Sequence, residues 1–133
     1  MIRRVLILGA AGIVVGGIIL VLLLVAGRAV YSRAAFGTWD AAAQPNRIDY
    51  CDRRYYPGSR VTRTQVDATG NGLGVFPFRQ VGATATGRPF FAKPLPDSVR
   101  RQFANGPVLP CAMSVYLSVG PDDYVAYGLS GGP

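Results

Sequence analysis

The sequence predicts a single N-terminal transmembrane α-helix followed by a small, mostly β, antiparallel extracytoplasmic domain with one disulfide. Three observations carry this. Val5 to Gly27, VLILGAAGIVVGGIILVLLLVAG, holds no charge and no side-chain amide or hydroxyl. At ~1.5 Å of rise per residue it is long enough to cross a hydrocarbon core of ~30 Å. Beyond it, short stretches of alternating polar and apolar residues are separated by Gly and Pro, the pattern of short strands and turns. The two cysteines, Cys51 and Cys111, both lie in that second part, and an even pair in a small domain suits an oxidising compartment.

Residues 1–4 form a short stub and residues 5–27 the span. A cleaved secretory signal is a competing reading, but the run exceeds the usual apolar length. Its candidate cleavage region, Ala26-Gly27-Arg28-Ala29, has an arginine where small residues are needed. A twin-arginine signal can be read into Arg3-Arg4, although such signals have a longer basic lead. An uncleaved signal anchor fits best. Arg3 and Arg4 before the run nearly balance Arg28 and Arg33 after it, and the compactness of the leading charges favours a cytoplasmic N-terminus. The cysteine pair agrees with that orientation. Within the run, Gly12 and Gly16 match the small-xxx-small packing motif, a contact face for self-association or for another envelope membrane protein. Ordinary glycine usage in membrane helices is the plainer explanation.

Residues 28–46 read as a connector in which the helix runs on briefly and then breaks up. Tyr31 and Trp39 are placed to sit at headgroup level, and Trp39 could equally be the first core residue of the domain. The β-rich domain spans 47–133. Arg47 to Cys51 reads as a first strand, Pro57-Gly58 as a turn, and Val61 to Val66 as a strand or short helix. Gly70 to Gly74 is a loop, and Val75 to Thr86 holds one or two strands interrupted by Pro77. Pro89 to Ala92 is a short apolar segment, and Asp97 and Ser98 are N-caps for a brief helix reaching Phe103. From Cys111 to Val119 apolar residues alternate cleanly, with Cys111, Met113, Val115, Leu117 and Val119 on one face. Gly120 to Asp123 turns the chain and Tyr124 to Leu129 returns, which sets Tyr116 opposite Tyr127. Closing the Cys51–Cys111 loop removes unfolded-state entropy worth roughly 3–4 kcal/mol. Whether the sheet closes into a barrel stays open at this level.

Beyond Gly27 lie eleven arginines and Lys93 against seven aspartates, so the part of the chain after the span has a net charge of about +5. Such a surface can attract anionic headgroups or acidic cell-wall polymers, or simply keep the domain soluble. Nucleic acid is not expected as a partner of an exported domain. With no histidine there is no Ser-His or Cys-His nucleophile pair and no imidazole metal ligand. No glutamate is present either, and the aspartates form no evident glycosidase pair. No metal, cofactor or catalytic residue is expected. The densest polar-aromatic cluster is Arg53-Arg54-Tyr55-Tyr56, where arginine forks and tyrosine walls could grip a phosphate or carboxylate. The competing reading has the tyrosines covering a sheet face while the arginines reach into water.

Tyr50-Cys51-x-Arg53-x-Tyr55-Tyr56, Pro110-Cys111-x-Met113, Val115-Tyr116-Leu117, Tyr124-Val125-Ala126-Tyr127 and the terminal Leu129-Ser130-Gly131-Gly132-Pro133 carry a resemblance. The chain resembles small membrane-anchored proteins of high-GC Gram-positive bacteria. The resemblance implies an anchor and an exported domain, and carries over no catalytic or binding residue. The expected function is a non-enzymatic interaction or accessory module of the cell envelope. A binding module for an anionic lipid headgroup or polymer is the alternative, and an enzyme of unrecognised type the remote one.

Overall fold

The computed structural model describes residues 2–69, 76–102 and 111–130, with side chains described from Val14 onward. Helix α1 (Ile2–Phe36) runs unbroken past Gly27 and contains the membrane-span candidate Val14–Phe36, with mean hydropathy 2.3. The expected connector is therefore helical as far as Phe36. Its stop is Gly37, whose φ of 73° closes the helix through a Gly37 N–H bond to the Arg33 carbonyl at 3.1 Å.

Six strands follow in one antiparallel sheet: β1 (Ile48–Tyr50), β2 (Arg53–Thr62), β3 (Arg79–Ala83), β4 (Pro89–Ala92), β5 (Ser114–Gly120) and β6 (Asp123–Leu129). Their spatial order, β1-β2-β6-β5-β4-β3, sets three hairpins side by side with the last in the centre. Among the described residues β1 and β3 are the two edges of the sheet, which is an open half-barrel. Two short helices, α2 (Arg63–Ala68) and α3 (Asp97–Gln102), interrupt the connections. A capping box starts α2: the Thr62 hydroxyl accepts from the Gln65 N–H, and the Gln65 side chain accepts from the Thr62 N–H.

Each hairpin has its own device. Cys51 and Asp52 both have positive φ, 49° and 58°, as a two-residue type I′ turn needs, and Tyr50 pairs with Arg53 across it. The Cys51–Cys111 disulfide then ties this tip to the approach of β5, with Cα atoms 6.0 Å apart. Gly82 faces Phe90 across β3 and β4, and the Phe90 ring lies where a Cβ on Gly82 would be. In the β5–β6 hairpin a register shift falls between Ser118 and Gly120.

That shift corrects one expectation. Gly120 pairs with Asp123, and an unbroken ladder from that pair would bring Tyr116 opposite Tyr127. The bulge instead pairs Tyr116 with Ala126 and Tyr127 with Val115, so the two tyrosines occupy opposite faces. Pro57-Gly58 is a second correction, because it lies inside β2 and turns nothing. Beyond Tyr55 β2 has only β6 beside it, so a residue without an N–H is tolerated, and the ladder slips between Pro57 and Arg60. Val61 to Val66 divides between the end of β2 and α2. Asp97 opens α3 as its first helical residue. Met113 is exposed and precedes β5, so the alternating face begins only at Val115. The expected Gly70 to Gly74 loop and the expected helix end at Phe103 lie outside the described residues.

The core occupies one face of the sheet: Ile48, Tyr55, Phe90, Val115, Leu117, Val125 and Tyr127, with Phe36 of α1 among them. The opposite face carries a second cluster. Phe78 stacks on Phe91 with centroids 5.0 Å apart, Tyr116 and Tyr124 close around them, and the Arg63 guanidinium lies 4.1 Å from the Phe78 ring centre.

Candidate functional site

Two places hold the site residues that the sequence singled out, and the structure adds a third. The first is the β1–β2 hairpin tip, where Asp49 to Arg54 line an open cleft of about 480 Å³. Strand alternation divides the expected anion grip. Tyr55 points into the core and its hydroxyl donates to the Ala112 carbonyl at 2.7 Å. Tyr56 is exposed on the other face. Arg53 and Arg54 are both exposed, and Asp49 lies 3.8 Å from Arg54 and 3.8 Å from Arg47. Two carboxylates, Asp49 and Asp52, thus share the cleft with two guanidiniums, and its charge is balanced. Burial pushes the Tyr55 hydroxyl up to about 12, opposed by its bond to Ala112.

The second place is the helix. Gly16 has open space where a Cβ would project, and so has Gly17. A shallow apolar groove is lined by Val14, Gly17, Ile18, Val21 and Leu22, so the described groove runs past Gly17. The surroundings of Gly12 lie outside the described residues.

The third place is the junction of helix and domain, which the sequence did not single out. Ser32 and Phe36 are only 1% and 6% exposed. The Phe36 carbonyl accepts from the Asn46 N–H at 3.0 Å and the Arg47 N–H at 3.2 Å, while the Arg47 guanidinium donates to the Ala34 carbonyl. Carbonyls orphaned at the helix end are therefore satisfied by the start of the β domain. Lower on the helix, Arg28 donates to the Ala85 carbonyl at 2.8 Å, and Arg88 reaches the carbonyls of Ala42 and Ala43. The Tyr127 hydroxyl, also pushed up to about 12 by burial, donates to the Pro45 carbonyl at 2.7 Å. Tyr31 meets Phe36 edge-on at 5.9 Å, and Trp39 stays 63% exposed with Arg33 5.8 Å from its ring centre.

The remaining candidates have structural partners. Asp122 accepts from the Arg63 N–H at the start of α2, and Asp123 faces Arg60 at 3.4 Å. Lys93 donates to the Val66 carbonyl at the end of α2. Among the described residues no three His, Cys, Asp or Glu side chains converge as a metal site. The chain matches no protein-family model, no curated protein and no solved structure.

Proposed function

We propose that the protein is a single-pass, membrane-anchored module of the cell envelope. α1 spans the membrane with its N-terminus in the cytoplasm, and the β domain stands outside as a non-enzymatic interaction or accessory surface for another envelope component. One observation carries this reading: the last turn of the apolar helix belongs to the core of the β domain. A tether needs only a flexible connector. A helix end buried at Ser32 and Phe36, with its carbonyls taken by Asn46 and Arg47, holds the domain at one height and orientation. The disulfide favours the outward side, since such bonds persist in oxidising compartments.

Two measurements test the reading. A reporter active only outside the cytoplasm, fused after Pro133, gives signal, and one active only inside does not; the reverse overturns the orientation. Crosslinking in native membranes then captures a second envelope protein or a second copy of this chain. Recovery of the uncrosslinked monomer alone overturns the interaction role. A second reading, binding of an anionic envelope ligand, is favoured by the arginines at the helix–domain junction.

A further inference from the structure

We infer that the membrane-facing underside of the β domain, built from Arg28, Arg33, Arg88 and Trp39, docks on anionic phospholipid headgroups. This rests on the reading of α1 as a membrane span. Height comes first. Val25 ends the unbroken run of large exposed apolar side chains, with Val30 and Tyr31 exposed again beyond it, and Arg28 lies only ~4.5 Å from Val25 along the axis, Arg33 ~12 Å. The polar layer of a bilayer leaflet is roughly 5–8 Å deep. Arg28 therefore sits within that layer and Arg33 just above it.

The domain folds back down to this level. The Arg28 bond to the Ala85 carbonyl draws the β3–β4 turn against the helix, and the Arg88 bonds to Ala42 and Ala43 tie that turn to the segment carrying Trp39. Charge is the second point. Among the described residues Arg28, Arg33 and Arg88 form no ion pair, and the carboxylate of the same loops, Asp40, accepts the Ala42 N–H at 2.8 Å. Three guanidiniums thus face one acid, unlike the balanced cleft at the hairpin tip. Each spends one or two of its five N–H donors on backbone carbonyls, which fixes its plane and leaves the others for phosphate oxygens.

Trp39 is the third point. Its ring is 63% exposed and lies 5.8 Å from the Arg33 guanidinium, which sets it beside that arginine at the outer edge of the polar layer, where an aromatic ring with a polar N–H is favoured. Zwitterionic headgroups offer the arginines no net attraction, so the occupant is an anionic phospholipid.

Trp39 is the chain's single tryptophan, so its fluorescence reports on this surface alone. The full-length protein is placed in nanodiscs of phosphatidylcholine, with and without phosphatidylglycerol as about a third of the lipid. Insertion is checked separately by flotation. Anionic discs shift Trp39 emission to the blue and lower its acrylamide quenching about twofold, and salt near 1 M, with a Debye length of about 3 Å, reverses both. Combining Arg28→Gln, Arg33→Gln and Arg88→Gln abolishes the response, while the three corresponding lysine substitutions retain it, which separates charge from folding. An inserted chain whose Trp39 signal is the same in both lipids overturns the inference. So does a neutral disc in which soluble glycerol phosphate reproduces the shift, since the site would then take a free anion. A chain that fails to float overturns the membrane reading and this inference with it, and is recognised by that failure alone.

Discussion

The two ends of α1 use similar residues and meet opposite fates. From Val14 to Val25 its large apolar side chains are 52–65% exposed, whereas Phe36, eleven residues beyond Val25, is buried in the sheet core. Among the described residues no protein covers the lower segment, and it is stable in water only if something else does. The upper turns are stabilised as any core helix is, by burial and by satisfied carbonyls. One continuous helix thus has a lower part whose apolar side chains the domain leaves uncovered and an upper part that the domain buries.

The largest expected effect sharpens that contrast. Phe36→Ala opens a cavity in the core and lowers the stability of the full chain in detergent by about 3–5 kcal/mol. Leu22→Ala, on the uncovered segment, stays within about 0.5 kcal/mol. Denaturant titration followed by Trp39 fluorescence measures both, and equal losses would break the division of the helix.

Next comes the disulfide. Its partners are 60 residues apart in sequence, so Cys51→Ser costs roughly 3–4 kcal/mol by loop entropy. The loss is read as a lowered denaturation midpoint against the oxidised parent, and an unchanged midpoint would make the bond incidental. Alkali should act on a similar scale. Tyr55 and Tyr127 have folded-state values near 12, above the ordinary value of 10, because burial disfavours the phenolate. Below pH 10 both states keep the proton and stability is complete. Between pH 10 and 12 the unfolded chain loses it first, so stability falls with rising pH, by about 3 kcal/mol for each tyrosine at most. Denaturation midpoints constant from pH 9 to 12 would contradict the buried phenols. Gly82→Ala is smaller, about 1–3 kcal/mol, since the Phe90 ring must move to admit the methyl group. Thermal unfolding measures it.

Much of this was legible in the sequence, and the misses have local causes. The apolar run, the disulfide pair and the final hairpin are visible because each is a composition or period-two signal. The continuation of α1 to Phe36 is not, because Arg28 to Ala35 carry neither an apolar stripe nor a breaker, and only Gly37 marks the end. Pro57-Gly58 has the composition of a turn, and only the pairing with β6 makes it strand. The Tyr116–Tyr127 pairing failed by one residue, which is the size of the bulge at Val119. At the candidate sites, Arg53 to Tyr56 are adjacent in sequence, but alternation sends neighbours to opposite faces. Arg28 and Arg33 were visible only as charges flanking the span; the contact of Arg28 with Ala85 was not, because the two are distant in sequence and bond through a backbone carbonyl, which leaves no pattern of residue types.

The central claim is that α1 enters the domain without a hinge. It is tested by placing spin labels at Val30→Cys and Ser59→Cys, both exposed positions, in the full chain inserted in nanodiscs. The native cysteines are bonded to each other and leave the labels specific. Pulsed dipolar spectroscopy should return one narrow distance distribution, no wider than the labels themselves produce. A broad or multiple distribution would show the domain swinging on its anchor, and would contradict the account.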